Sequence, residues 1–171
     1  AALTPLLEVI AELTRRITAA EHQIAVLTRE RHPVAVHLQQ PAGVGPLTAL
    51  AFVLLIEDPT RFRKSRDVGA YFGLVPRLDE SSGATPQLRI SKAGDEFGRR
   101  LLVSAAQYIL GPFGPECDLR RHGPAIAQRG GKNAKKRAVI AVARKLAVLL
   151  HRLWVSQAAY DPDYQRNRRA A

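Results

Sequence analysis

Glycine and proline cut this chain into segments whose apolar residues recur every three or four positions, a spacing that leaves little room for anything but helices. The clearest segment is residues 4–31. There Leu6, Ile10, Leu13, Ile17, Ala20, Ile24 and Leu27 fall on one line in alternating steps of four and three. That is the heptad pattern of a coiled coil. Thr4 can cap the helix, and Pro5 stands where its missing N–H costs nothing. Glu12 and Arg16 are spaced for an i,i+4 pair. About three heptads is marginal for an isolated dimer. The seam therefore pairs with another helix, in a second copy or a partner, or else packs on the chain's own core.

The remaining punctuation predicts further helices. Pro33 ends the first helix or begins the next, and a short one spans about 33–40. Pro46 then opens a strongly apolar helix that Asp58-Pro59 stops. Ser65 can cap a short helix through Val68, Tyr71 and Phe72, with Gly73 as its stop. Residues 74–91 differ. Leu74-Val75-Pro76 and Gln87-Leu88-Arg89-Ile90 flank a polar stretch, the pattern of an irregular β-hairpin or extended loop pair. Helix returns near Asp95 and runs to about Leu110. A weak helix over 116–128 is interrupted at Gly123-Pro124. A long helix covers about Asn133 to Tyr160, with Val139, Val142, Ala143, Leu146, Leu149, Leu150, Leu153 and Trp154 on its apolar face. The tail from Asp161 is polar and expected to fray. The expected architecture is mainly α: a coiled-coil helix (1–32), a helical domain with a small irregular β insert (33–160) and a polar tail (161–171).

Charge supplies the first functional constraint. The formal net charge is +11, unevenly spread. Residues 1–60 carry 4 Lys/Arg against 6 Asp/Glu, and residues 61–171 carry 22 against 9. Such asymmetry points to a polyanion partner for the second part. No apolar run reaches the ~20 residues that cross a bilayer, and no basic region followed by an apolar block opens the chain. A soluble, intracellular, cytoplasmic protein is expected. The single cysteine, Cys117, excludes an internal disulfide and a cysteine-based zinc site. The acidic pairs Glu57/Asp58, Asp79/Glu80 and Asp95/Glu96 are each adjacent in sequence and point to different faces, so no metal site is expected in this chain. The five histidines are scattered and read as surface or boundary residues rather than ligands.

Three patterns could carry chemistry. In Pro41-Ala42-Gly43-Val44-Gly45-Pro46, two glycines allow a sharp turn and close approach of backbone to a phosphate. A helix N-terminus follows, so the block resembles a helix-hairpin-helix motif, with Gly43, Val44 and Gly45 as phosphate contacts. A tight helix–helix turn without a ligand would have the same sequence. Next, Ser91 lies between Arg89 and Lys92, just before a helix bearing Arg99 and Arg100. A serine nucleophile needs help in losing its proton, and charge on the phosphate must be stabilised; nearby cations serve both needs. A serine in such a place also commonly caps a helix. Last, Lys132, Lys135, Lys136, Arg137, Arg144 and Lys145 open the long helix, with Arg120, Arg121 and Arg129 before it. Cations at a helix N-terminus oppose its dipole, and phosphate relieves that cost, so this is a candidate phosphate-tracking surface. The alternative is a solvated helix face.

Taken in order, further blocks join these: Asp58-Pro59-Thr60-Arg61-Phe62-Arg63, Ala70-Tyr71-Phe72-Gly73-Leu74-Val75-Pro76-Arg77, Ser81-Ser82-Gly83, Arg89-Ile90-Ser91-Lys92-Ala93-Gly94-Asp95 and Ala138 to Leu146. Over about residues 40–153 the ordered set resembles the C-terminal domain of the insertion-sequence 110/116/902 transposases, to which the pilin-gene-inverting recombinases are related. The resemblance implies a protein that cuts and rejoins DNA. In such proteins an N-terminal RuvC-like nuclease domain binds Mg²⁺ through acidic residues, a coiled coil follows, and the C-terminal domain supplies a serine. It maps that serine to Ser91, with Ser81 and Ser82 as the alternatives, and adds Arg77 to the nucleic-acid-binding candidates. Some members use a structured bridge RNA as guide. The nuclease domain has no counterpart here, so this chain is expected to be a fragment, with Mg²⁺ belonging to the absent domain. The expected partners are DNA, a guide RNA where one is used, and a second copy through Leu6–Leu27. The competing reading is a non-catalytic nucleic-acid-binding and dimerisation module.

Overall fold

The structure, a computed structural model, describes residues 3–77 and 88–170. The predicted helices form, in the order α1 (Thr4–Arg31), α2 (Pro33–His37), α3 (Pro46–Ile56), α4 (Val68–Tyr71), α5 (Glu96–Leu110), α6 (Asp118–Ala127) and α7 (Ala134–Ser156), and the tail adds an unpredicted α8 (Tyr164–Ala170). Two 3₁₀ turns, Pro59–Arg61 and Ser65–Asp67, join α3 to α4. Prolines stand in the first turn of α1, α2 and α3, as their fixed φ favours. Thr4 does not cap α1; Leu3 takes the cap position without a side-chain bond, and Thr4 is already helical.

Helix α7 is the centre. Val142, Ala143, Leu146, Ala147, Leu150 and Leu153 are buried along one face. Helices α4, α5 and α6 all pack against it. Alanines at 143 and 147 keep that face shallow, so neighbouring helices approach closely. Helix α3 is apolar on nearly every side because it is enclosed on several: α1, α2 and α5 pack on it, and Ala49 to Val53 are all buried. Phe52 and Phe72 stack at 5.6 Å between ring centroids where α3 meets the end of α4. Each fully buried side chain of this size contributes roughly 2–3 kcal/mol of transfer free energy.

Three expectations change. Helix α6 runs through Gly123-Pro124 without a break. Gly123 is buried, and a Cβ there would lie 2.3 Å from Leu110 Cδ2, so the glycine lets α6 close onto the end of α5. The tail does not fray. The Asp118 N–H donates to Pro162 O at 2.7 Å, and the Gln165 N–H donates to Asp118 Oδ2 at 2.6 Å. Arg121 joins Asp118 to Asp163, and Arg152 donates to Tyr164 Oη at 2.8 Å, so polar anchors hold α8 where apolar ones are absent. Burial raises the Asp118 carboxyl pKa, but the Gln165 N–H, Arg121 and Lys145 together outweigh it and hold the group below its ordinary value. Finally, His151 is not a surface residue. It is 2% exposed and bonds Ser65 Oγ and Pro59 O, at 3.0 and 2.9 Å. Ser65 therefore serves this contact rather than capping α4.

The first half of the α1 seam finds no partner among the described residues. Leu6, Ile10, Leu13 and Ile17 are 53–60% exposed, whereas Ile24 is half-buried and Thr28 buried near α3. Glu12 accepts from both Arg15 and Arg16 beside that seam. No helix among the described residues is long and apolar enough to cross a membrane.

Burial, then the charges of Lys145 and Arg129, holds the His122 pKa below its ordinary 6.5. The unfolded chain therefore takes up this proton first as pH falls. His122 contributes stability above about pH 6.5 that is lost as pH falls through its folded pKa. Urea midpoints measured from pH 7.5 to 5.5 should fall, and His122→Gln should flatten that decline.

Candidate serine site and nucleic-acid interface

Residues 73–77 and 88–92 run antiparallel and pair through backbone. Ser91 N–H donates to Val75 O at 2.8 Å, Arg77 N–H to Arg89 O at 2.9 Å and Lys92 N–H to Gly73 O at 3.2 Å. An isolated bridge links Pro76 and Ile90, so the expected β element reduces to one rung within the described part. Ser81 and Ser82, and the polar stretch Asp79 to Pro86 around them, lie outside the described residues.

Two glycines interlock this pair with the end of α4. Gly73 has φ +66°, and a Cβ there would stand 2.2 Å from Ala93 O. Gly94 has φ +86°, and its Cβ would stand 1.9 Å from Tyr71 O. Lys92 also takes a left-handed φ of 55°. Arg99, in the first turn of α5, secures the same knot. Its Nη1 donates to Phe72 O and Lys92 O at 3.2 Å, with Gly94 O and Asp95 O at 3.5 Å. Carbonyls at the end of a helix and a turn attract a cation. Arg99, which the sequence pattern makes a phosphate stabiliser, turns its Nη1 to these carbonyls, a place that suits holding Ser91's segment in shape.

Ser91 does not cap α5. Asp95 does so, accepting from Gly98 N–H at 2.6 Å. The Ser91 Oγ is buried and has no hydrogen-bond partner among the described residues. The side chains of Arg89, Lys92 and Arg100 are exposed.

The glycine hairpin divides in the same way. Gly43 has φ +81°, and a Cβ would come within 2.9 Å of Ala105 O, so its lack of a side chain serves contact with α5. Val44 is 5% exposed and belongs to the core, which leaves its side chain unable to touch a phosphate. Gly45 alone stands open: it precedes α3 on extended backbone, with nothing within 4 Å of its Cβ position. The first-turn N–H groups of Leu47 and Thr48 have no acceptor within the helix. Thr48 also lines an open groove of about 490 Å³, with Gln39, Pro41, Gly45, Ser104 and Tyr108 among others.

The cations of α7 also separate by task. Lys132, Lys135, Lys136 and Arg144 are exposed. Arg137 donates to Gly130 O, and Lys145 to Gln165 Oε1 at 3.4 Å. Arg120 donates to Ile109 O and Gly111 O at 2.7 and 2.6 Å, tying the end of α5 to α6. Arg77 is exposed. Among the described residues, no three His, Cys, Asp or Glu side chains converge as a metal site would require.

Sequence comparison places this arrangement among insertion-sequence transposases. A probable family 20 transposase of Pseudomonas aeruginosa is 30% identical over 168 residues, which is 92% of this chain and 48% of that protein. The transposase for insertion sequence element IS1111A of Coxiella burnetii is 35% identical over 124 residues, 72% of this chain and 33% of the relative. The transposase for IS1328 of Yersinia enterocolitica is 42% identical over 68 residues, 40% of this chain and 20% of the relative. The family described as Transposase IS116/IS110/IS902 matches residues 35–118, from α2 to the start of α6, and the chain belongs to it. It spans between a third and a half of the first two relatives.

The glycines can be told apart by substitution. Gly73→Ala and Gly94→Ala should each lower stability by about 2 kcal/mol or more, since each combines left-handed backbone with a clash against a carbonyl. Gly45→Ala should cost less than about 1 kcal/mol, the ordinary loss at a helix cap. Chemical denaturation of the three variants checks the ranking.

Proposed function

We propose that this chain is the part of a transposase that grips a polynucleotide backbone and offers Ser91 as nucleophile for breaking and rejoining DNA strands. One observation carries the reading. A hydroxyl buried without a partner costs roughly 1–3 kcal/mol, and Ser91 bears that cost with no structural gain. Its hydroxyl caps no helix and bonds no neighbour among the described residues, while Arg99, Gly73 and Gly94 hold its backbone in an uncommon path. Buried groups left unsatisfied in this way call for a functional explanation.

The chemistry conserves bonds. Ser91 Oγ forms a bond to phosphorus as the bond from phosphorus to one sugar oxygen breaks. The serine proton departs, and a proton reaches the released sugar hydroxyl. One phosphodiester replaces another, so the step reverses without an external energy source. Arg89 and Lys92 on the same segment, with Arg100 on α5, would offset charge on the phosphate oxygens. Because the Oγ is covered, it must first be uncovered to reach phosphorus; opening precedes attack. Mg²⁺ chemistry would belong to the acidic nuclease domain that the family resemblance implies.

Gly45, with the free N–H groups that begin α3, would position backbone phosphate. Lys132, Lys135, Lys136, Arg144 and Arg77 would add cations for DNA, or for a structured guide RNA. The exposed seam of α1 would pair with the same seam of a second copy. The competing reading is a binding and dimerisation module without catalysis, and one experiment separates the two. The whole protein is incubated with DNA bearing its element ends and examined for a covalent protein–DNA adduct. Ser91→Ala should abolish the adduct, while Ser81→Ala and Ser82→Ala retain it. An adduct that survives Ser91→Ala removes the assignment.

Pairing through α1 has its own test. Leu13→Asp with Ile17→Asp should convert the chain to monomer in sedimentation equilibrium while leaving its helical circular dichroism in place. A wild-type chain already monomeric at tens of micromolar would refute the pairing.

A further inference from the structure

The link between α3 and α4 carries three cations that belong neither to the Ser91 segment nor to the glycine hairpin nor to α7. Arg63, Lys64 and Arg66 are exposed, and none has an ion-pair partner among the described residues. Their neighbour Arg61 is already engaged, donating to Ile56 O at 3.1 Å and lying 5.7 Å over the Tyr71 ring. No acidic residue falls between Pro59 and Arg66.

The link is held firmly from beneath. His151 sits fully inside, on α7, and reaches both ends of it. A carbonyl only accepts, so Nε2 donates to Pro59 O, and Nδ1 accepts from the Ser65 hydroxyl. Phe62 wedges its ring between His151 and Tyr71, edge-on to both, at 5.6 and 5.4 Å. Asp58 caps the first turn through Thr60 N–H and Oγ1 at 2.8 Å, and Asp67 N–H donates to Lys64 O at 2.9 Å. On the same helix, seven residues before His151, Arg144 lays its stem over Gly69, where a Cβ would come within 2.8 Å of Arg144 Cγ. Its exposed guanidinium thus joins α4, which directly follows the link.

Like charges on a fixed frame repel one another, and none of the three is ion-paired among the described residues. A flexible loop could spread its cations at little cost; this one is tied at both ends. A regular polyanion offsets the repulsion and meets groups that need little further ordering.

We propose that Arg63, Lys64 and Arg66, with Arg144 beside them, form a preorganised clamp for the phosphodiester backbone of a nucleic-acid duplex, in addition to the glycine hairpin and the start of α7. The inference rests on the reading of this chain as a polynucleotide binder and names a surface for it. Contacts of this kind set register without reading bases. Arginine forks suit phosphate oxygens in pairs.

Salt dependence tests it. Binding of the chain to a 30-base-pair DNA duplex, and separately to an RNA duplex of the same length, is followed by fluorescence anisotropy over a salt series. Each DNA phosphate that a removed cation no longer neutralises should lower the slope of log K against log salt by about 0.9. The triple variant Arg63→Ala, Lys64→Ala, Arg66→Ala should therefore have a slope smaller by about 2 to 3 and bind more weakly. Arg15→Ala with Arg16→Ala, which removes cations already paired with Glu12, should leave the slope unchanged. A reduced slope on either duplex supports the clamp and names its ligand. Wild-type slopes from the triple variant on both duplexes would overturn it while leaving polynucleotide binding intact. A wild-type chain that binds neither duplex at low salt would instead overturn the functional reading, and the clamp with it.

Discussion

The shallow buried face of α7 is the constraint from which the rest of this fold hangs. Ala143 and Ala147 lie between larger residues on that face, and α4, α5 and α6 all meet it. Because the helix is long, it takes part in three separate local structures. Its N-terminal turns bear the exposed lysines, its middle anchors the core, and its later turns supply His151 to the link between α3 and α4. A change to the packing of α7 would therefore reach the cationic surface and the backbone knot around Ser91 together, through α4 and α5.

A second theme is the use of polar side chains to tie backbone. Arg99 collects carbonyls at the end of α4 and around Gly94. Arg120 does the same for the end of α5, and His151 for the link before α4. Each spans a junction between helices where regular hydrogen bonding stops and carbonyls would otherwise lack donors. In a chain with so few aromatic residues, such ties stiffen the joints that apolar packing leaves loose. They also sort the abundant cations into those that hold the fold and those left for a ligand. Arg99, Arg120 and Arg121 fall in the first group; Arg63, Lys64, Arg66, Lys135 and Lys136 fall in the second.

Ser91 stands where these themes meet. Its segment is held by a left-handed lysine, two glycines without room for a Cβ and an arginine bonded to the turn. The hydroxyl itself is covered and unbonded. A fixed backbone with an unsatisfied side-chain group fits a site whose partner arrives from outside. The proposed nucleophile would thereby stay out of water until that partner is bound, as a reaction that rejoins a chain without stray hydrolysis would require.

Helix positions were legible in the sequence because three- and four-residue spacing and proline placement are local properties, written within a few turns. The α1 seam, the apolar α3 and the face of α7 all read directly from spacing. So did the charge asymmetry, and the glycine pairs marked backbone under unusual demand. What each charged or small residue does was decided only by the tertiary structure. Gly43 faces α5 and Gly45 faces open space, although they lie two residues apart in one motif. Arg99 holds carbonyls and Arg100 is exposed, although they are adjacent. His151 gave no sign of burial, because its partners Pro59 and Ser65 lie more than eighty residues away. The polar tail docks because Asp118, Arg121 and Arg152 wait on other helices. Periodicity along a chain determines which residues share a face; the partner a face meets depends on how distant segments cross, and no local pattern records that.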